Sequence, residues 1–105
     1  MHAQIITFQL KNVSHEDYAR MCVTEAPIFA QLPGLIAKVW LASPETNTYG
    51  GAYTWRDRES MEAYMRSDLV KSFATDPTIV GFTSRDYAVL EEPTRVTAGI
   101  LAVPA

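Results

Sequence analysis

The chain has 105 residues, a formal net charge of −3 and a pI near 5.2. Its length fits one domain over residues 1–105, and its 48% hydrophobic and 20% charged content is typical of a folded globular protein. An acidic balance offers no general attraction to nucleic acid or anionic lipid, so we expect neither as a partner. The sequence has no apolar run near the roughly 18 residues of a membrane span and no recognisable signal peptide, so we expect a cytoplasmic protein.

The first half of the chain predicts two strands separated by a helix. Residues 3–10 are rich in β-forming side chains and predict the first strand. Ser14 is a good N-cap, and the apolar residues after it have helical spacing up to Pro33-Gly34. Pro27 removes a backbone donor inside this helix, which predicts a kink or a break. Residues 35–42, LIAKVWLA, predict the second strand.

The second half repeats the pattern after a turn. Residues 43–48, SPETNT, are dense in turn formers and predict a hairpin into a third strand at residues 49–55, YGGAYTW. Asp57 is positioned to cap a second helix reaching about residue 75, with an interruption possible at Ser67-Asp68. Residues 79–90 predict the last strand.

The predicted order is βαββαβ, an α+β fold of the ferredoxin-like type, with two helices on one face of a four-stranded antiparallel sheet. The apolar tail at residues 94–105 could add a short strand or reach over a partner subunit. This fold leaves the second face of the sheet without helices. A bare face of this kind must bind a ligand or pair with another surface.

The third strand begins with two glycines and carries aromatic residues at alternate positions. Gly50-Gly51 indicates either a β-bulge or space kept free for another group. Tyr53 and Trp55 point to the same side of the strand. They are candidates for holding a flat ligand, and filling of the core explains them equally well.

Two cations accompany aromatic residues on other predicted strands. Lys38 shares a strand face with Trp40, which would suit an anionic or phenolic ligand if that face is enclosed. A lysine on an edge strand also serves to block unwanted strand pairing. Arg85 shares a face with Tyr87 on the last strand, and there a site and ordinary surface charge are equally compatible with the pattern.

Other chemistries lack the residues they need. The seven-residue separation of His15 and Cys22 is about 10 Å along a helix, too far for a thiolate–imidazole pair. The sequence also has no metal-ligand spacing and no Gly-rich phosphate loop, so we expect no cofactor. RNA-recognition modules share the topology, but this chain is acidic and its third strand lacks their basic and aromatic pattern.

Residues 33–65 resemble the YdhR-like putative mono-oxygenase family of the dimeric α+β-barrel superfamily. The resemblance is carried by Pro33-Gly34, the strand with Lys38-Val39-Trp40, and Gly50-Gly51 followed by Tyr53 and an aromatic residue at 55. Residues 86–97, DYAVLEEPTRVT, also have the look of that family. These motifs belong to the scaffold and are not a catalytic signature.

The resemblance implies a homodimer in which two sheets face each other as a barrel, each subunit having a cavity for a small aromatic ligand. It also implies oxygenation of an aromatic or polycyclic phenolic compound without metal or flavin. Under that hypothesis Lys38 or Arg85 would stabilise a substrate anion and Tyr53 would donate a hydrogen bond or relay a proton. The substrate would be held by Trp40, Trp55 and Tyr87. The alternative is a homodimer of the same fold that binds a ligand, or is purely structural, without turnover.

Overall fold

The computed structural model describes residues 1–98 of the chain. Four strands are formed by β1 (His2–Leu10), β2 (Leu35–Ser43), β3 (Thr48–Trp55) and β4 (Ile79–Ala88). Four α-helices are formed by α1 (His15–Ala30), α2 (Arg58–Met65), α3 (Asp68–Thr75) and α4 (Glu91–Val96), and a 3₁₀ turn at Pro44–Thr46 joins β2 to β3.

The strands form one antiparallel sheet in the order β2-β3-β1-β4, which confirms the ferredoxin-like prediction. Tyr53 on β3 lies opposite Gln4 on β1 and opposite Lys38 on β2. Since directly opposed residues share a sheet face, these three side chains lie on the same side. That side is covered by the helices and contains the core, so we call it the cavity face.

Three side-chain caps fix the starts of α1, α2 and α3. The Ser14 hydroxyl accepts a hydrogen bond from the backbone N–H of Asp17 at 3.1 Å, and the Asp57 carboxylate accepts one from Ser60 at 2.8 Å. The Ser67 hydroxyl accepts from the N–H of Val70, so the second helical segment is divided into α2 and α3 at the predicted interruption. All three caps satisfy donors that a helix start leaves unpaired.

The structure decides between alternatives that the sequence left open at two places. No break occurs in α1, which continues through Pro27 to Ala30. The carbonyl that loses its helical partner there belongs to Val23, a residue 76% exposed, so water can replace the lost bond. The tail from residue 94 does not begin as a strand, because residues 91–96 form α4, and residues 99–105 lie outside the described part.

The second face of the sheet is uncovered by any element of residues 1–98, as predicted, and we call it the open face. Val39 is 60% exposed there and Ile5 is 38% exposed. The strand register places the following residues on this face: Ile5, Thr7, Ala37, Val39, Leu41, Ala52, Thr54, Thr83, Arg85 and Tyr87.

Candidate functional site

A cavity of about 180 Å³ lies between the cavity face of the sheet and the helices. Its walls include Ile6, Phe8, Tyr18, Glu25, Phe29, Lys38, Trp40, Tyr53, Tyr64, Phe73 and Phe82. An apolar cavity of about 150 Å³ is enough to hold benzene, so this space suits one aromatic ring. Most of the wall is aromatic or aliphatic, which favours an apolar ligand body.

The two glycines of β3 serve different purposes, and neither marks a bulge. Pairing with both neighbouring strands continues without a register shift through Gly50 and Gly51. A Cβ atom on Gly50 would lie 1.8 Å from the backbone oxygen of Ile6, so Gly50 permits close approach of β1. A Cβ atom on Gly51 would lie 2.8 Å from Cε of Lys38 and 3.0 Å from the ring of Tyr53. Gly51 therefore makes room for the side chains of the site.

Lys38 extends its amine into a cluster of aromatic rings. Its Nζ lies 3.3 Å from the centroid of a Trp40 ring, 3.5 Å from that of Phe29 and 4.8 Å from that of Tyr53. Within residues 1–98, Nζ of Lys38 forms no hydrogen bond and no ion pair. The ion pairs in these residues are formed by other cationic groups. Lys38 is therefore a cation without a carboxylate partner in an apolar setting.

Two effects act on this amine in opposite directions. The ring faces attract an ammonium ion, by about 2 kcal/mol for a desolvated contact. Loss of hydration disfavours the ion by several kcal/mol, and the nearby Cys22 and Glu25 side chains offset only part of this cost. Desolvation dominates, and burial lowers the pKa of Lys38 from its ordinary value of 10.5 to about 7. Near neutral pH a large fraction of Lys38 is then a neutral amine, which can accept a proton.

Tyr53 supplies a hydroxyl next to this amine. Its oxygen lies 3.1 Å from the hydroxyl oxygen of Tyr64, within hydrogen-bonding distance. Two hydroxyls bonded to each other use one of their two hydrogens, so the pair retains a donor for a ligand. Burial, together with the neighbouring hydroxyl, raises the pKa of Tyr53, so this side chain stays neutral and acts as a donor.

Trp55 is placed beside the cavity and not on its wall. Its side chain is fully buried, its ring stacks on Tyr53 at 5.9 Å, and its indole N–H donates to the Gln4 side-chain oxygen at 3.0 Å. Gln4 is also fully buried and donates to the Ser84 hydroxyl at 2.9 Å. This satisfied network holds Tyr53 in place. Trp55 therefore does not border this cavity.

The sequence-predicted residues are thus divided between two faces. Lys38, Trp40 and Tyr53 come together on the cavity wall. Arg85 lies opposite Ile5 and Tyr87 opposite Ala3, which places both on the open face, where both are exposed. Since the sheet separates them from the cavity, one subunit does not bring all six candidates into one site.

Several wall residues were not among the candidates predicted from the sequence. Phe29 contributes a ring beneath Lys38, Tyr64 contributes the second hydroxyl, and Glu25 contributes a carboxylate. They come from α1 and α2, where helical spacing predicts a buried stripe but not which members border a cavity. The signal available in the sequence was the presence of aromatic residues on helices that cover an aromatic strand.

The histidines contact other side chains outside the cavity wall. His15 Nδ1 lies 3.1 Å from the Tyr49 hydroxyl, and His2 Nε2 lies 2.6 Å from an Asp86 carboxylate oxygen. Among residues 1–98, no group of three or more His, Cys, Asp or Glu side chains has the arrangement needed to hold a metal ion. No helix in the same residues is long and apolar enough to cross a membrane.

Solved structures of several proteins share this fold at low sequence identity. SnoaB, a cofactor-independent oxygenase from Streptomyces nogalater, is 14% identical with a TM-score of 0.65, and the match covers 86% of this chain and 93% of that one. The heme-degrader MhuD from Mycobacterium tuberculosis is 14% identical with a TM-score of 0.67, covering 86% and 96%. A protein from Deinococcus radiodurans, described as a putative antibiotic biosynthesis monooxygenase, is 12% identical with a TM-score of 0.69, covering 85% and 92%.

Similarities at this level of identity establish the fold alone. No curated protein sequence matches the chain. A family model described as "Putative mono-oxygenase ydhR" matches residues 4–100, which is nearly the whole length. The chain therefore belongs to the YdhR family of mono-oxygenase-like proteins.

Proposed function

We propose that this protein is a cofactor-independent mono-oxygenase that acts on a small, electron-rich phenol and works as a homodimer. The observation that carries the proposal is the unpaired amine of Lys38 in an aromatic cavity of single-ring size. Family membership and the fold shared with SnoaB support oxygen chemistry.

Lys38 takes the role of general base in this proposal. As a neutral amine it accepts the phenolic proton, and the ammonium ion that results pairs with the phenolate it has just produced. The transfer adds no net charge to the apolar cavity. The hydroxyl pair of Tyr53 and Tyr64 donates a hydrogen bond to the phenolate oxygen, and Trp40 and Phe29 pack against the ring.

The substrate itself supplies the electrons. The phenolate transfers one electron to dioxygen, and the two radicals combine to form a C–O bond and a ring hydroperoxide. Loss of the ring proton and cleavage of the O–O bond then release water and leave a quinone. One oxygen atom enters the product and the other enters water, so phenol and dioxygen give quinone and water without an external reductant.

The size of the cavity limits the substrate class. A volume of about 180 Å³ lies below the range of about 300–1,000 Å³ typical of pockets for drug-sized ligands. One aromatic ring fits, whereas a polycyclic phenol requires the helices to move. Haem, which MhuD binds, does not fit these residues: its macrocycle exceeds the space, and neither His2 nor His15 borders the cavity.

The open face provides the basis for the homodimer. It combines aliphatic side chains with Thr83 and Arg85, and Tyr87 is 56% exposed at its margin. Pairing two such faces would remove the apolar area of both from water. In this arrangement Arg85 and Tyr87 belong to the subunit interface and not to the cavity.

The test is incubation with a panel of methoxyphenols and hydroquinones under labelled ¹⁸O₂, and in parallel under nitrogen, followed by mass spectrometry. We expect one labelled oxygen atom in the product, only in the presence of dioxygen, and loss of turnover in Lys38→Met. Binding of these phenols without product under air would instead favour a ligand-binding dimer without turnover.

A further inference from the structure

We propose that Lys38 is also a covalent site, at which the amine forms an imine with a small aromatic aldehyde or ketone held in the cavity. This activity lies beyond the oxygenation proposed above and does not depend on it, because it involves neither dioxygen nor a phenol. Nucleophilic lysines are amines kept neutral by an apolar environment, and the surroundings of Lys38 have that character.

The first argument is the absence of any competing partner for the amine. Within the described residues, no fully buried side-chain nitrogen or oxygen atom lacks a hydrogen-bond partner. Lys38 Nζ has no hydrogen bond in these residues, so it cannot be one of the fully buried atoms. It therefore retains some accessible surface, and Lys38 lines the cavity. Its lone pair is consequently available to a molecule that occupies that space.

The second argument is that Lys38 also lines a second space beside the first. A second cavity of about 250 Å³ lies between α1 and β2 and shares Phe29, Lys38 and Trp40 with the first. Its other walls are small or aliphatic, and Ala30 at its rim is exposed. An aromatic carbonyl compound can thus place its ring in the inner cavity, with Lys38 at the boundary between the two spaces.

The third argument concerns the protons of the reaction. The groups that face the amine are Cys22 and Glu25 on α1, Tyr53 on β3 and, through its contact with Tyr53, Tyr64 on α2. Burial raises the pKa of both Cys22 and Tyr53, so these two remain neutral near pH 7. Glu25, on the cavity wall, is the group suited to exchange protons with the reacting atoms.

The reaction balances without an oxidant or a reductant. The lone pair of Nζ attacks the carbonyl carbon, and the carbonyl π electrons move to oxygen, which gains a proton while the nitrogen loses one. A proton delivered to the resulting hydroxyl through Glu25 lets it leave as water, and the nitrogen lone pair forms the C=N bond of a protonated iminium. Loss of the remaining N–H proton, which returns the proton used to expel water, gives the imine. Amine and carbonyl compound therefore give imine and one water molecule.

The experiment is trapping of benzaldehyde by sodium borohydride at pH 7 under nitrogen, followed by peptide mapping. The chain has three lysines, and Lys11 and Lys71 are both exposed and serve as internal controls. The fourth amine, at Met1, is paired with Glu91 at 3.0 Å. We expect benzylation of Lys38 to exceed that of Lys11 and Lys71 at least about 10-fold, because exposed lysines remain almost entirely protonated at this pH.

Lysine variants distinguish labelling that is specific to Lys38 from the general reactivity of lysine amines with an aldehyde. Lys71→Met and Lys11→Met should keep the labelling of position 38, and Lys38→Arg, which preserves the positive charge, should lose it. Equal labelling of the three lysines, or labelling confined to the Met1 amine, would overturn the proposal. Peptide mapping of the unsubstituted protein shows which lysine is benzylated even if a Lys38 variant fails to fold. The benzylation pattern does not depend on whether the protein oxygenates phenols.

Discussion

The two faces of the sheet each carry a cation, and their surroundings give them different chemistry. Lys38 lies among three aromatic rings and forms no ion pair within residues 1–98, whereas Arg85 lies exposed on the open face opposite Ile5. The sequence places both cations beside an aromatic residue at alternate strand positions, so the local pattern is the same. What differs is the side of the sheet, because alternate residues of a strand point to opposite faces. Enclosure among aromatic rings gives Lys38 a setting that Arg85 lacks, and an amine, unlike a guanidinium, can lose its proton there.

The largest expected effect is on turnover, when Lys38 or Arg85 is replaced by methionine, an uncharged residue with a long side chain. Lys38→Met should lower kcat/KM for the phenol by about 10²–10⁴-fold, the usual contribution of a general base. Arg85→Met should change it less than about 3-fold if the dimer persists, because Arg85 does not reach the cavity. Steady-state rates measured at equal concentrations of dimer provide the comparison.

Equal losses in both variants would contradict the division between the two faces. Lys71→Met, a substitution of an exposed lysine on α3, controls for the general loss of a positive charge.

The open face is tested by placing a charge on it. Val39→Glu should weaken dimerisation by about 100-fold or more, because an unpaired carboxylate would be buried against the partner. Val23→Glu on α1, where Val23 is 76% exposed, is the matched control and should leave the dimer intact. Sedimentation at micromolar concentration measures both. A mass near 11.7 kDa for the unsubstituted chain would remove the homodimer proposal altogether.

Substitutions of the two adjacent glycines distinguish an effect on backbone packing from an effect on the site. Gly50→Ala should destabilise the fold by about 3 kcal/mol or more, because its Cβ would meet the rigid backbone of Ile6. Gly51→Ala should cost about 1 kcal/mol, since the contacted Lys38 stem is flexible, but should lower turnover by displacing the amine. Urea titration measures the stabilities. Similar losses of stability in both variants would contradict the distinction.

The pH dependence of turnover tests whether the amine acts as a base. Burial lowers the pKa of Lys38 to about 7, so the neutral form is lost as the pH falls below that value. We therefore expect kcat/KM to fall about tenfold per pH unit below pH 7 and to level off above it. Residual turnover of Lys38→Arg should lack this acidic limb. A flat profile between pH 5 and 8 would exclude Lys38 as the base.

The architecture could be predicted from the sequence because its signals are local. The alternation of apolar and polar residues in strands, the helix caps at Ser14 and Asp57, and the SPETNT turn each depend on a few neighbouring residues. The face occupied by each strand residue depends on register across strands, which no single stretch encodes. For this reason the sequence alone groups Arg85 and Tyr87 with Lys38, although the sheet separates them in the folded chain. The shifted pKa of Lys38 depends on rings supplied by α1 and β3, so it arises only in the folded state.

The smallest expected effect is on stability. The pKa of Lys38 is lower in the folded state than its unfolded value of 10.5, so folding disfavours the ammonium form. Below pH 7 both states are protonated and the full penalty applies; between pH 7 and 10.5 the folded state loses its proton and the penalty is relieved. Lys38→Met should therefore stabilise the fold by about 1–2 kcal/mol at pH 6, and by less near pH 10. Urea titrations at the two pH values measure the difference, and destabilisation at pH 6 would contradict it.

The central claim is that the folded chain holds Lys38 as an amine that titrates near neutrality. A direct measurement is an NMR titration of the Lys38 side chain, followed at Cε and assigned by comparison with Lys38→Arg, with Lys11 and Lys71 as internal references. We expect a midpoint near pH 7 for Lys38 and ordinary midpoints near 10.4 for the other two. A Lys38 midpoint indistinguishable from those of Lys11 and Lys71 would contradict it.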